Sequence, residues 1–431
     1  MVAKPRIGIF SDTHIGRCIP RAVGELRRTA YKHSFTQAIN VFIDEGVDYV
    51  IHAGDLFEKR SMTPEDSVFV KEELQRLVDS IHDRYGKDVV VFAVRGNHDG
   101  TYEGNALDYI RHPLADYLRV LGDRLLQGLD EEYVHEGLLI AGVGYHPYIS
   151  GRFQEIKPLI KKAFAHEGGL KIFIFHNFLE GYHPIPPGTP SHNLLTMRDL
   201  AGLGADIVVS GHYHGRLKPI TRDGAMILTP GATEAVDLSD EGPFGVYILE
   251  DGEARFKLIN PLHEIRNVKV SSKGALKPSK WFVDKALGEA KRYASSLEER
   301  GVNGILRLIL TGLTDDDPYN IENMLASLLS ERRAETPKLL YVDLVNRVEA
   351  VHQRVPLPAM GGGYEYASEI LKPLGSKAEE ALKIVEEVSL ALDERASQRT
   401  GLLTGSDRSP FVEKWIRILE GKLLSSGAEQ V

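Results

Sequence analysis

Five short polar segments, each placed directly after an apolar run, constrain the fold of this chain more than any other feature. The segments are SDTH at 11–14, GD at 54–55, GNHD at 96–99, HN at 176–177 and GHYH at 211–214. The runs before them, RIGIF, VDYVIHA, VVVFAV, KIFIF and ADIVVS, have the length and apolar character of buried strands. Such strands belong to sheets covered on both faces, where polar side chains collect beyond the carboxyl ends of the strands. We therefore expect all five segments to open onto one edge of an α/β fold.

The residue types in these segments predict a site for two metal ions. Asp12 and His14 stand two positions apart, as do His212 and His214, so in an extended chain each pair would point the same way. Carboxylate, imidazole and amide ligands without a thiolate suit Mn2+, Fe2+, Zn2+ or Mg2+. Two ions about 3.5–4 Å apart can clamp a phosphate and activate a water molecule, and Asp55 is the candidate for the ligand they share.

The alternative is that these are ordinary polar residues on turns. Asp12 and Asp55 converging without a cation would repel each other by about 4 kcal/mol at 4 Å if the effective dielectric constant is near 20. A purely structural role for both carboxylates is therefore disfavoured.

The same segments resemble the calcineurin-like metallophosphoesterase superfamily. Within it, SDTHIG, AGDLFEKR, RGNHDG and PGATEAVDLSDEGPFGVYILE resemble the DNA double-strand-break repair nucleases of the meiotic recombination eleven and SbcD family. The resemblance implies an α/β fold: a two-sheet metallophosphoesterase sandwich flanked by helices, followed by a small α+β capping domain and C-terminal helices. It also implies a metal-dependent phosphodiesterase, a DNA nuclease with 3'-5' exonuclease and endonuclease action, that holds two divalent ions per subunit, with Mn2+ as the expected ion.

The resemblance assigns roles to individual side chains. One ion would be held by Asp12, His14, Asp55 and His214, and the other by Asp55, Asn97, His176 and His212. His98 would be the catalytic residue: it would not bind metal but would contact the scissile phosphate and assist the leaving oxygen, a task that suits imidazole. Asp99 would orient His98, as carboxylates commonly orient imidazoles.

Two further features bear on the resemblance. Family nucleases often carry histidine directly after GDLF, whereas this chain has Glu58, a carboxylate that would repel DNA. A Pro-rich stretch containing His183 and His192 follows His176, and it could fold over the site as a substrate-contacting loop.

Composition gives the chain's general class. The chain is too long, at 431 residues, for one ordinary core, which predicts two or three domains. Its single cysteine, Cys18, cannot form an internal disulfide, and we find neither a bilayer-spanning apolar run nor signal-peptide features, so we expect a cytoplasmic protein without a membrane partner. The formal net charge of −9 argues against nucleic acid at first sight. Two bound divalent ions would reverse the local field, and a partner subunit can supply basic surface.

The element pattern divides the chain into four predicted parts. These are a metallophosphoesterase (nuclease) domain at 1–263, a capping, DNA-binding domain at 264–350, a linker at 351–375, and C-terminal helices for binding an ATPase partner at 376–431. Helical patterns at 64–86 and 103–122 fall where helices of the family pair two subunits, so we expect a homodimer.

The resulting prediction is a Mn2+-dependent DNA endo/exonuclease that processes double-strand ends and hairpins with an SMC-like ABC ATPase of the Rad-fifty / SbcC type. One alternative is a small-molecule phosphodiesterase or phosphatase that uses the same metals. A second alternative is a mainly structural subunit that bridges DNA ends.

Overall fold

The computed structural model describes residues 5–100, 105–111, 114–128, 133–135, 137–166, 168–331, 336–351 and 382–383. The chain forms two compact units, Met1–Ala350 and Val351–Val431, and every element named below belongs to the first. The predicted linker and C-terminal helices lie outside the described residues, apart from 351 and the helical pair 382–383. Among the described residues, no helix combines the length and apolarity that crossing a bilayer requires.

The strands and helices are numbered in chain order. The described strands are β1 Ile7–Phe10, β2 Tyr49–His52, β3 Val90–Val94, β4 Leu118–Leu121, β5 Tyr133–His135, β6 Leu138–Val143, β7 Leu170–Phe175, β8 Phe178–Glu180, β9 Leu194–Thr196, β10 Ile207–Ser210, β11 Leu217–Arg222, β12 Ala225–Thr229, β13 Gly245–Glu250, β14 Glu253–Leu258, β15 Glu264–Leu276, β16 Gly304–Thr314 and β17 Leu339–Ala350. The described α-helices are α1 Gly24–Glu45, α2 Pro64–Tyr85, α3 Ala106–Arg111, α4 Ile149–Ala163, α5 Met197–Leu200, α6 Ser279–Arg300 and α7 Pro318–Glu331.

Two six-stranded sheets form the first part of the unit. The first sheet has the order β14-β13-β1-β2-β3-β4 and the second has the order β11-β12-β10-β7-β6-β5. Strands β1 to β4 run parallel, and so do β6, β7, β10 and β12, while β13, β14, β5 and β11 are antiparallel to their neighbours. This confirms the predicted α/β architecture of two sheets flanked by helices.

Both faces of the central strands are buried, which explains their apolar sequences. In β1, Ile7 and Ile9 enter the layer between the two sheets, whereas Phe10 packs against α1 on the outside of the first sheet. In β7, Ile172 and Ile174 enter the same inner layer, and the alternate side chains pack against α4 outside the second sheet. Burying one such side chain contributes about 1.5–3 kcal/mol, so these layers favour this strand register strongly.

Helix α2 begins and ends at signals that are present in the sequence. Thr63 caps its start by accepting a hydrogen bond from the Asp66 amide, Pro64 occupies the first turn, and Gly86 ends it with a φ of 65°. The predicted helix at 64–86 is therefore confirmed.

The predicted helix at 103–122 is wrong in its second half. The described part contains α3, a single 3-10 turn at Leu114–Asp116, and then β4, which pairs in parallel with β3 at the edge of the first sheet. Proline at 113 cannot donate the hydrogen bond that a continuing helix needs. The apolar side chains of β4 are buried in the sheet, and this tertiary packing outweighs the helical spacing of the sequence.

A third sheet follows the two-sheet sandwich. Strands β15, β16 and β17 run parallel, and α6 and α7 connect them and share one apolar core with the sheet. This confirms the predicted strand-helix-strand-helix-strand order. Ile305 of β16 packs with Val23 and Leu238 of the sandwich, and Arg307 Nη1 lies 2.6 Å from Asp237 Oδ1. The third sheet therefore rests on the loop that follows β12.

A buried ion pair holds that loop to α1. Arg27 Nη1 lies 3.0 Å from Glu234 Oε1, and both side chains are only 1% exposed. Ser34 donates to the other Glu234 oxygen at 3.0 Å, and Tyr31 donates to the carbonyl of Ala235 at 2.6 Å. Because the bonds from Arg27 and Ser34 replace water around the Glu234 carboxylate, the charge is tolerated in the interior.

Removing one partner of this pair should destabilise the protein more than removing both charges. We expect Arg27→Met to lower the free energy of unfolding by about 3–5 kcal/mol, because Glu234 would stay buried without a counter-charge. The double variant Arg27→Met/Glu234→Gln should lose clearly less than the sum of the single variants. Urea denaturation of the four proteins measures this, and additive losses would contradict the coupling.

Candidate metal centre

The five polar segments all follow the strands that the sequence predicted. SDTH follows β1, GD follows β2, GNHD follows β3, HN follows β7 and GHYH follows β10. The first two loops are joined by backbone hydrogen bonds from the Asp12 amide to the Gly54 carbonyl at 2.9 Å and from the His14 amide to the Asp55 carbonyl at 3.0 Å. A Cβ at Gly54 would overlap the ring of His176, so only glycine lets the two sheets approach here.

Four site residues adopt backbone conformations that non-glycine residues rarely adopt. The φ angles are 51° at Asp12, 42° at His14, 56° at Asp55 and 73° at His212. The expectation that Asp12 and His14 converge through an extended chain is therefore wrong, because left-handed turns bring them to the site instead. Strained conformations of this kind cluster at functional sites, where the surrounding structure holds them in place.

The structure brings the seven predicted metal-binding side chains together. Asp12, His14 and His214 form one group, and Asp55, His176 and His212 form another; within each group the possible ligand atoms all lie within 4.8 Å of one another. Asn97 completes the set, since its Oδ1 lies 3.0 Å from Nδ1 of His212.

The hydrogen bonds of two imidazoles leave the ligand atoms aimed into the cluster. Nδ1 of His176 donates to the Ala53 carbonyl at 2.6 Å, and Nδ1 of His14 lies 3.0 Å from a carboxylate oxygen of Glu58. The Nε2 atoms of both rings are buried and make no hydrogen bond to the part of the chain that the structure describes. They lie 3.2 Å (His176) and 3.7 Å (His14) from Oδ2 of Asp55. Buried nitrogens without a partner beside carboxylates fit metal ligands.

The comparisons with known proteins agree with this geometry. Residues 5–216 match the model of the calcineurin-like phosphoesterases. The first half of this chain belongs to that family. The His/Asp clusters within this half are candidates for the two-metal site that is typical of the family.

Curated relatives match about half of this chain or less. The DNA double-strand break repair protein Mre11 of Sulfolobus acidocaldarius is 24% identical over 230 residues, which are 52% of this chain and 53% of the relative. The Mre11 protein of Halobacterium salinarum is 35% identical over 124 residues, 28% of this chain and 30% of the relative. An uncharacterized metallophosphoesterase, YhaO of Bacillus subtilis, is 23% identical over 240 residues, 56% of this chain and 53% of the relative. The chain thus spans about half the length, or less, of these curated relatives.

Charges within the phosphoesterase cluster compensate one another. Burial raises the pKa of Asp12 to about 6. Burial also opposes the charge of Asp55, but the neighbouring His176 outweighs it and holds the pKa of Asp55 far below its usual range. In return, Asp55 overcomes the effect of burial on His176 and raises the pKa of that imidazole to about 9. Without a cation, a proton on His176 therefore supplies the positive charge that the carboxylates require.

Two of the other imidazoles of the cluster, His212 and His214, are neutral, whereas burial opposes a charge on His14 but its bond to Glu58 and the charge of Asp55 outweigh burial and raise its pKa. Burial, together with a neighbouring histidine, lowers the pKa of His212 and of His214 to about 3. Neutral imidazole is the form that binds metal, so both residues are ready to act as ligands at neutral pH.

His98 lies at the edge of the cluster with one ring nitrogen open. Its Nδ1 donates to the Glu58 carbonyl at 2.9 Å, and its backbone amide donates to Oδ1 of Asp55 at 2.8 Å. The prediction that Asp99 orients His98 is wrong. Asp99 instead accepts hydrogen bonds from the amides of Phe57 and Gly96, both at 2.9 Å, and so ties together the loops after β2 and β3.

Glu58 is a member of the site that the sequence did not identify correctly. Its side chain is 8% exposed; one carboxylate oxygen lies 3.0 Å from His14 Nδ1 and the other 2.8 Å from Arg17 Nη1. Burial raises the pKa of Glu58, but the bonds to His14 and Arg17 outweigh that effect and lower it. The expectation that Glu58 repels DNA therefore loses its basis, because a buried and paired carboxylate presents little charge to solvent.

A cavity of about 610 Å³ opens beside the cluster. Phe178, Tyr213 and Phe244 contribute aromatic surface to its wall, whereas Asp240 and Glu241 contribute carboxylates. Among the residues that line it, Arg216 is the one arginine or lysine. Its guanidinium lies over the Phe256 ring at 4.1 Å.

The Pro-rich stretch after His176 reaches this cavity only in part. Pro184 and Pro186 line it, as expected of a loop near the substrate. His183 does not reach it: the ring is 6% exposed, Nδ1 accepts from the Leu179 amide at 2.9 Å, and Nε2 lies 2.8 Å from the Thr229 hydroxyl. His192 stacks on Tyr148 outside the lining residues. The two histidines therefore do not form a substrate-contacting pair.

His183 should make the fold sensitive to acid. Burial lowers its pKa to about 3 from an ordinary value of 6.5, so the unfolded chain takes up a proton that the fold excludes. Its contribution is complete above pH 6.5 and is lost as the pH falls toward 3, amounting to about 2 kcal/mol between pH 6.5 and 5. In EDTA, the free energy of unfolding of His183→Gln should therefore fall by about 2 kcal/mol less over this interval than that of the wild type. Parallel pH profiles would contradict the neutral state of His183.

Proposed function

We propose that this phosphoesterase is a Mn2+-dependent DNA endo/exonuclease that processes double-strand breaks with an SMC-like ABC ATPase partner. The observation that carries the proposal is the convergence of seven ligand-type side chains and His98 at one edge of the sandwich, beside an open cavity. The similarity to the Sulfolobus and Halobacterium relatives, which are DNA double-strand break repair proteins, supports DNA as the substrate.

The ligand assignment follows the two groups of the cluster. Asp12, His14 and His214 would hold one ion, His176, His212 and Asn97 would hold the other, and Asp55 would be shared. The position of Asp55 supports sharing, because its Oδ2 faces Nε2 of both His14 and His176. When bound, two such ions would lower the pKa of a water molecule and neutralise negative charge on the phosphate.

His98 would act on the leaving oxygen. Because its Nδ1 already donates to a backbone carbonyl, the other nitrogen, Nε2, is the one that can carry a proton toward substrate. Its side chain is 34% exposed, which gives a phosphate access to the ring. The backbone bond to Asp55 fixes the distance between this imidazole and the shared ligand.

The charges of the cavity explain why phosphate binding would depend on the ions. Asp55, Asp240 and Glu241 oppose a phosphate, and Arg216 alone among the lining residues offers a guanidinium. Two divalent ions would reverse this balance. The same cavity, with a volume of about 610 Å³ and an aromatic wall, also suits a small phosphodiester, which keeps the small-molecule phosphodiesterase as the second candidate function.

Two variants should separate metal binding from proton transfer. We expect His98→Ala to lower cleavage of end-labelled duplex and hairpin DNA by about 100-fold or more while leaving Mn2+ stoichiometry unchanged, since general acid catalysis contributes about 10²–10⁴-fold. Asp55→Ala should lose both activity and bound Mn2+. Metal analysis beside the cleavage assay measures both effects, and equal metal loss in the two variants would contradict the role of His98.

The substrate is tested in the same experiment with a chromogenic phosphodiester as comparison. Cleavage of DNA that disappears in His98→Ala would support the nuclease. Turnover of the small ester alone would favour the small-molecule phosphodiesterase. Turnover of neither, with Mn2+ bound, would favour a structural DNA-bridging subunit.

The proposed assembly has three further parts. The third sheet would act as the capping, DNA-binding domain, and α2 and α3 would pair two copies of the chain. The exposed side chains of Val68 on α2 and Tyr109 on α3 support such an apolar contact. The C-terminal segment at 376–431 would bind the ATPase.

The C-terminal helix pattern at 409–424 should be required for the ATPase but not for catalysis. Phe411, Trp415 and Ile418 recur at helical spacing, and the predicted helix would carry them on one apolar face that a partner helix pair could cover. We expect deletion of 400–431, and the single change Trp415→Glu, to abolish co-purification with the ATPase while Mn2+-dependent cleavage persists. Arg417→Glu, on the opposite face of the pattern, is the matched control and should keep the partner. Unchanged complex formation by the deletion variant would refute the assignment.

A further inference from the structure

We propose that Glu58 is a positioning residue for one of the two metal sites, fixing the imidazole of His14 so that Nε2 points at the shared ligand Asp55. The inference rests on the proposed two-metal function and adds a residue to it. Glu58 stands where family nucleases often carry histidine, and its own contacts in this structure define its role.

The first contact is to the far side of the His14 ring. Oε2 of Glu58 lies 3.0 Å from Nδ1, while Nε2 of the same ring lies 3.7 Å from Oδ2 of Asp55. A carboxylate can only accept, so the proton of a neutral His14 sits on Nδ1 and the lone pair of Nε2 faces the cluster. Carboxylates in this arrangement fix the tautomer and orientation of a metal ligand and increase its basicity.

The second contact holds Glu58 itself. Arg17 Nη1 lies 2.8 Å from Oε1, and Arg17 Nε donates to the Val236 carbonyl at 2.7 Å. The guanidinium thus connects the carboxylate to the loop after β12, the same loop that the Arg27–Glu234 pair ties to α1. With one oxygen committed to His14 and the other to Arg17, the Glu58 side chain has little rotational freedom.

These contacts argue against the other roles open to Glu58. His14, Glu58 and His98 lie close enough to suggest a third metal site. However, both Glu58 oxygens already have partners, and His98 Nδ1 donates to the Glu58 backbone carbonyl. A cation there would have to displace a guanidinium. A direct contact with substrate is disfavoured because the carboxylate is buried.

The contacts also predict that the side chain acts on one site only. His14 belongs to the group with Asp12 and His214, whereas the other group contains His176 and His212, neither of which Glu58 contacts in the described structure. The hydrogen bond from His98 Nδ1 goes to the Glu58 backbone carbonyl, and the Glu58 carboxylate lies farther from this nitrogen, at 3.9 Å, than from His14 Nδ1, at 3.0 Å. Replacing the carboxylate should therefore weaken one ion selectively and leave the proposed proton donor in place.

The test is Mn2+ binding to the full-length protein by isothermal titration calorimetry, with wild type, Glu58→Gln, Arg17→Met and Glu250→Gln. We expect Glu58→Gln to weaken the affinity for one of the two Mn2+ ions by about 10–100-fold, with the other ion unchanged. Arg17→Met should weaken the same ion to a smaller extent. Glu250→Gln is the matched control, because Glu250 makes ion pairs with Arg6 and Arg255 and none with the cluster, and it should leave both affinities unchanged.

The outcomes separate this inference from the proposed function. Wild type that binds fewer than two Mn2+ would overturn the two-metal function itself. Wild type that binds two, with Glu58→Gln within twofold at both sites, would overturn the positioning role alone, as would equal weakening of both ions. Cleavage adds an independent readout: the Mn2+ concentration for half-maximal activity should rise in Glu58→Gln, with kcat near the wild-type value at saturating Mn2+. A raised KM for DNA with unchanged Mn2+ affinity would assign the side chain to substrate instead.

Discussion

The convergence of two buried carboxylates, Asp12 and Asp55, is the constraint on which this structure depends. Two like charges at about 4 Å would cost about 4 kcal/mol at an effective dielectric constant of 20, and the surrounding imidazoles offset that cost only by holding a proton. The backbone adds to this free-energy cost, since left-handed conformations at non-glycine residues cost about 1–3 kcal/mol each. Four site residues have such conformations. The site is therefore a strained arrangement that the rest of the sandwich must hold and that a cation would relieve.

The sandwich holds the site through backbone bonds made by its loops. Strands β1 and β2 are paired, and backbone hydrogen bonds continue between the two loops that follow them. The last of these bonds runs from the Glu58 amide to the Ile15 carbonyl at 3.0 Å. Asp99 then fastens the loop after β3 to the loop after β2. On the other side, Arg17 links Glu58 to the loop after β12, and the next residues of that loop, Asp237 and Leu238, contact β16 of the third sheet. The metal centre and the third sheet thus contact the same loop. A change at either one therefore affects loop residues that the other also contacts.

Much of the fold and the candidate site was predictable because burial leaves a periodic trace in the sequence. Strands covered on both faces are continuous apolar runs, and polar residues directly after them mark the loops that converge. Left-handed turns leave no such trace at non-glycine positions, which is why the extended geometry expected at Asp12 and His14 was wrong. Contacts between distant segments leave none either. Nothing local in the sequence distinguishes Asp99 as an acceptor of backbone amides, or Glu58 as a buried partner of Arg17 and not an exposed acid. The prediction of a helix in place of β4 was wrong for a related reason. The apolar spacing of this segment fits a helix, and only its pairing with β3 makes it a strand.

The distribution of charge also bears on how an acidic chain could handle a polyanion. The cavity presents three carboxylates against one guanidinium, and that guanidinium is stacked on Phe256. In the proposed nuclease the bound ions would then supply most of the positive charge at the scissile phosphate, so binding of that phosphate and its activation would rely on the same groups. Asp240 and Glu241 of the same cavity would repel any further phosphate that enters it. Holding an extended duplex would thus require basic surface from elsewhere, the third sheet, a second copy or the ATPase. On this view assembly governs substrate binding, whereas the chemistry is contained within the one sandwich.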